Sequence, residues 1–207
     1  MNKGFFALPV WGKDGDRPGL PRCGQCGLLR KCLSPQMPVY GRGKRKILFV
    51  GEAPGEQEDR RGIPFIGESG QLLRRQCRKL GVDLEDCWVT NSIVCRPPDN
   101  EIEQRNIDSC RPLLLRTIEE CEPVVIVLLG ASAAQTLIGQ EWRRDWGQFG
   151  RWVGWRIPSR RFGAWLCPTY HPAYIMRAGD DPVLLRLLSQ HLQAAFALEN
   201  TVIPKIR

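Results

Sequence analysis

PVVIVLLGASAAQTLIG, residues 123–139, sets six consecutive apolar residues, Val124 to Leu129, between a proline and a glycine and then runs into apolar spacing of helical period. A strand with one wet face alternates apolar and polar residues. An unbroken run of this length predicts a strand buried on both faces, as in a parallel sheet covered by helices on each side. Working outward, KRKILFVG (44–51) and AWLCPTY (164–170) repeat the pattern, and CWVTNSIVC (87–95) supplies a fourth strand. Between them, 68–81 has helical spacing and ends on Gly81, 100–120 reads as helix with a break or new start at Pro112, 131–139 is a short helix, and 182–198 is a final amphipathic helix. Strands alternating with helices predict a three-layer α/β/α domain around a central four-stranded parallel sheet, with 1–207 as a single domain. Ligands of such sheets bind beyond the carboxyl ends of the strands. Those ends fall at Glu52, near Asn91, at Gly130 and at His171.

The chain has 207 residues, 43% of them hydrophobic, which suffices for a real core, and a formal net charge of +8. A basic domain without an apolar run of about 20 residues predicts an anionic partner, nucleic acid above all, and a cytoplasmic protein rather than a membrane one. Nine cysteines, an odd count, in a reducing compartment read as buried thiols or metal ligands rather than as a disulfide framework. No self-complementary patch stands out, so a monomer is expected.

Residues 1–45 are rich in Gly, Pro and Arg without periodicity and need pinning to the body. Cys23 and Cys26 form a C-x2-C pair, and Cys95 and Cys110 have fourteen residues between them. Four thiolates suit zinc or an iron–sulfur cluster, and either would supply the pin. Cys32 competes for the fourth place. The loop GEAPGEQEDRR (51–61) crowds Glu52, Glu56, Glu58 and Asp59 after a strand, with Gly51 and Gly55 allowing close backbone approach to a ligand. Phe65 is either core or a stacking plate for a planar ligand. Asn91 is an unusual strand residue whose amide can pair bidentately with a base edge. His171 follows the fourth strand and can donate a hydrogen bond to developing negative charge. His191 reads as an ordinary helix residue.

Together, CGQC, GEAPGEQEDRRGIPFIGESGQLL, TNSIVCRPPDN, CRPLL, VIVLLGASAA and TYHPAYIMR, spanning residues 23 to about 177, resemble the iron–sulfur class (family four) of the uracil-DNA glycosylase superfamily. The resemblance implies that Cys23, Cys26, Cys95 and Cys110 ligate a structural [4Fe-4S] cluster. It implies that Phe65 stacks on a base flipped out of DNA, that Asn91 reads its polar edge, and that Glu52, Ala53 and Gly55 line the pocket. His171 would stabilise charge on the departing base. Residues 171–177, including Tyr174, would press into the minor groove, with Met176 or Arg177 filling the gap the base leaves. The family's Ala53 cannot activate water. Glu58 is the first candidate for that role, then Asp59, then Glu52.

Two features depart from the family pattern. Residues 142–165 hold five of the seven tryptophans and six arginines, which fits either a packed hairpin or an enlarged DNA-contacting surface. Gly55 stands where some uracil enzymes carry a bulky Tyr. The expected activity is therefore monofunctional hydrolysis of the N-glycosidic bond of a modified pyrimidine, uracil first, in base excision repair. A bulky base such as glucosylated hydroxymethylcytosine in phage DNA, with a role in antiviral defence, is the alternative. A DNA-binding module without catalysis is a third.

Overall fold

The structure, a computed structural model, describes residues 23–141 and 146–205. Its sheet has five strands, β1 (Ile47–Gly51), β2 (Trp88–Asn91), β3 (Val125–Leu129), β4 (Ile157–Ser159) and β5 (Ala164–Thr169), in the order β2-β1-β3-β5-β4. The four strands expected from sequence pair in parallel, with Phe49 opposite Val89 and Val127, and Val127 opposite Cys167. The fifth, β4, is a three-residue antiparallel edge strand. It escaped the sequence reading because IPS has no apolar run and carries a proline, which only a sheet edge tolerates.

Strand alternation shows why the apolar runs are unbroken. Ile47, Phe49, Val125, Val127 and Leu129 face one side. They pack on Leu72, Leu73 and Cys77 of α2 (Glu68–Lys79), Ile175 of α5 (Pro172–Arg177) and Leu188, Leu192, Ala195 and Phe196 of α6 (Pro182–Phe196). Leu48, Val50, Ile126 and Leu128 face the other. They meet Leu114 and Ile118 of α3 (Gln104–Cys121) and Ala133 and Ala134 of α4 (Ala131–Ala134), which continues as a π turn, Gln135–Gly139. Successive residues point to opposite faces, and both faces are dry.

Pro112 lies inside α3 without ending it. Helical packing on both flanks, through Cys110, Leu113 and Leu114, outweighs the one hydrogen bond the proline removes. The acidic loop forms a short helix of its own, α1 (Glu56–Arg61), which periodicity could not reveal because its sequence EQEDRR has no apolar residue.

Of the irregular N-terminal segment, residues 1–22 lie outside the described residues. The rest is held by hydrogen bonds. Leu33 and Ser34 donate to the Asp59 carboxylate at 2.8–3.1 Å, Met37 N–H to Val94 O at 2.8 Å, and Tyr40 exchanges two bonds with Val89. No helix among the described residues is long and apolar enough to cross a membrane.

Candidate functional site

A cavity of about 250 Å³ opens at the carboxyl ends of β1, β2 and β5. Glu52, Ala53, Gly55, Glu58, Phe65, Asn91, His171 and Arg177 line it, joined by Ser69, Asn100, Ile102 and Ala173. Three of the expected site residues are elsewhere. Asp59 faces away and spends its carboxylate on Leu33 and Ser34, while Ser34 Oγ donates to its carbonyl at 2.6 Å. Met176 packs against the core beneath α5, while Arg177 is exposed and lines the pocket. Tyr174 is exposed beside the pocket rather than in it.

The aromatic wall is built under constraint. Phe65 is buried and sits at φ 58°, a left-handed conformation that costs a non-glycine residue about 1–2 kcal/mol. Two glycines make room for it. A methyl group on Gly51 would lie 2.5 Å from the Phe65 ring and closer still to Asn91 Oδ1, and one on Gly70 would overlap the Phe65 carbonyl. Such outliers persist where function requires them. Asn91, at the last position of β2, is buried beside this ring. Among the described residues no protein group takes its side-chain amide, which borders the cavity.

His171 caps α5, its Nδ1 accepting the Ala173 N–H at 3.1 Å. An accepting Nδ1 leaves the proton of the neutral ring on Nε2. Burial holds the His171 pKa below the usual imidazole value; Glu52 and Glu58 pull it up and Arg177 pushes it down. The ring is thus neutral at pH 7 with one N–H to donate. Glu52 is fixed by Ser132 Oγ, which donates to Oε2 at 2.7 Å. Sequence reasoning missed Ser132, since a Ser at a helix start signals only a cap. Glu58 is buried, its Oε1 accepting Gly67 N–H at 2.8 Å, and a methyl on Gly55 would come within 2.8 Å of Oε2.

Beside the pocket, in an apolar setting of Leu28, Ile93, Val94, Ile107 and Leu113, four cysteines gather, Cys26, Cys32, Cys95 and Cys110. Cys110 donates to Cys26, whose pKa falls to about 6, and Cys95 donates to Cys32, also lowered; the donated hydrogen bond and then burial push Cys95 and Cys110 up. Gln36 gives its side-chain amide to Cys23 Sγ at 3.0 Å and its backbone N–H to Cys95 Sγ at 3.2 Å. Among the described residues no three His, Cys, Asp or Glu side chains converge as a single metal ion requires. The thiols stand as two pairs, Cys26 with Cys110 and Cys32 with Cys95, with the Gln36 N–H groups aimed at sulfur.

Residues 38–196 match the family described as the uracil DNA glycosylase superfamily. The chain belongs to that superfamily. Among its relatives, the type-4 uracil-DNA glycosylase of Saccharolobus solfataricus is 37% identical over 157 residues, covering 73% of this chain and 71% of that one. Those of Pyrobaculum aerophilum and Thermotoga maritima are each 37% identical, covering 76% of this chain and 81% and 80% of theirs. The family match spans all five strands and every pocket residue named above.

Proposed function

We propose that this glycosylase-family chain excises uracil from DNA. The observation that carries the reading is the convergence, around one pyrimidine-sized cavity, of a ring wall (Phe65), an unclaimed amide (Asn91), a neutral imidazole with its proton on Nε2 (His171) and two anchored carboxylates. The base reaches such a cavity only by leaving the stack. Phe65 stacks on its face. The Asn91 amide accepts from uracil N3–H and donates to O4. The His171 Nε2–H donates to O2.

The C1′–N1 bond then breaks, its electron pair passing to the base. Negative charge on O2 strengthens the His171 bond, whereas the ground-state carbonyl gains less from it, and this difference lowers the barrier. Positive charge on the sugar is stabilised by the DNA phosphates and by Glu58. Water adds to C1′ and gives its proton to Glu58, leaving an abasic site and free uracil. Asp59 has no part in this step, because its oxygens are committed to residues 33 and 34. Arg177 fills the place the base vacates.

The thiols are suited to a [4Fe-4S] cluster held by Cys23, Cys26, Cys95 and Cys110, with Cys32 against Cys95 as a fifth thiol at the same site. When bound, it would supply cross-linking of residues 23–37 to β2 and α3 rather than redox chemistry.

The relatives' names favour uracil over a bulky modified base. The test is base release, revealed by hot alkali, from DNA carrying one uracil and from phage DNA with glucosylated hydroxymethylcytosine, using brown protein with broad absorbance near ~400 nm and bound iron. Cleavage of the uracil strand is expected. Cleavage of the phage DNA alone would overturn the assignment.

A further inference from the structure

Among the described residues, the tryptophan- and arginine-rich segment contributes no side chain to the pocket. Residues 142–145 lie outside the described residues. Of the rest, Trp146 and Trp152 stack on each other, centroids 5.7 Å apart at 14°, and Trp152 Nε1–H donates to Trp146 O at 2.7 Å. Trp165 Nε1–H is used by Thr201 Oγ1. These three pack the fold.

Trp155 does not. It is 63% exposed. Its turn is tied to the end of β5, since Gly154 N–H donates to Pro168 O at 2.8 Å, three residues before His171. The Trp155 turn is therefore tied near the carboxyl end of β5, the end of the sheet at which the excision pocket opens. With Val153, Gly154, Arg156 and His191 it lines a second cavity of about 500 Å³ that has no acidic wall.

A row of rings joins the two cavities. His191 stacks on Tyr170 at 6.3 Å, and Tyr170 on Tyr174 at 5.8 Å. Tyr174 is 49% exposed and shares α5 with Arg177. The row is built rather than incidental. Thr169 Oγ1 holds His191 Nδ1 at 3.0 Å, and a methyl on Gly154 would come within 2.7 Å of His191 Nε2. Gly154 also has φ 82°, so only glycine lets the Trp155 turn lie against the ring.

We propose that this strip seats the strand flanking the flipped nucleotide as single-stranded DNA, an unpaired base stacking on Trp155 and the adjoining phosphate meeting Arg156. The proposal rests on the glycosylase reading. The exposed rings of Trp155 and Tyr174, with cations at both ends, Arg156 and Arg177, are complementary to an unpaired strand, whose bases have free faces; a duplex offers none.

Excision kinetics on single-stranded oligonucleotides test it, with the arms either side of one uracil trimmed nucleotide by nucleotide. Trp155→Ala should raise KM about ten-fold on full-length arms with kcat unchanged. Trp155→Phe should restore most of that loss. The penalty should vanish when one particular arm is trimmed away. Arg156→Gln should reduce the salt slope of binding by about 0.7. Equal KM for wild type and Trp155→Ala overturns the proposal. So does a penalty that survives on the shortest substrate, which marks a folding defect, or one seen only on duplex. If wild type released no uracil, the glycosylase reading would fall, and the same variants titrated by fluorescence with uracil-free single strands would still judge the strip.

Discussion

Gly51→Ala is the sharpest probe of the pocket. Its backbone is ordinary strand, so alanine costs nothing in conformation, and the effect is purely one of space. The added methyl would stand 2.5 Å from Phe65 Cζ and nearer to Asn91 Oδ1, against contact distances of about 3.5 Å for carbon. One of the two must retreat by about 1 Å. Phe65 cannot do so through its backbone, because its carbonyl is already pressed against Gly70. The ring and the amide are the two groups that hold the base in plane, and a misplacement of about 1 Å costs on the order of 100-fold in rate. Overpacking itself costs about 1–3 kcal/mol, a fall in Tm of roughly 2–4 °C for each kcal/mol at this size. The assays are kcat/KM on uracil-containing DNA and a thermal melt, with Gly81→Ala as control. Gly81 has φ 73° but nothing within 4 Å of a methyl, so Gly81→Ala should lower Tm and leave the rate alone. A Gly51→Ala enzyme with wild-type kcat/KM would refute the stacking and reading roles of Phe65 and Asn91 together.

Glu58 and Asp59, adjacent in sequence, should separate cleanly. Glu58→Gln keeps an oxygen for the Gly67 N–H but loses the charge, and kcat should fall about 100-fold or more with little change in Tm; Asp59→Asn should cost about 2 kcal/mol of stability by weakening its bonds to Leu33 and Ser34 and leave kcat intact. The histidines set an acid limit. Burial holds both His171 and His191 below their unfolded values, so the unfolded chain takes up protons first. Their contribution is complete above about pH 6.5 and is lost as pH falls through the folded pKa values. Tm should be level at neutral pH and drop below about pH 6.5, less steeply in His191→Gln, as a melt series in pH would record.

The layered fold was legible because both faces of the sheet are dry: the runs at 47–51, 125–129 and 164–169 announce parallel strands without any structure. Helices α2, α3 and α6 were equally plain from their spacing. Elements whose stability comes from contacts rather than pattern were not, namely α1 with its six polar residues and β4 at the sheet edge. For the site, residue type and position at strand ends named Glu52, Asn91 and His171, and the family resemblance added Phe65. The sequence reading placed Glu58 ahead of Asp59, but the physical difference between these neighbours shows only in the structure, where one carboxylate turns to Gly67 and the other to Leu33 and Ser34. Nor could the sequence show that Met176 packs inward while Arg177 lines the pocket, fix the His171 proton on Nε2, or separate Trp155 from the tryptophans that pack. Composition and periodicity record which surfaces must leave water, and that determines the sheet and its layers. The direction of a single side chain depends on partners dozens of residues away, and only the closed tertiary structure brings those within hydrogen-bond distance.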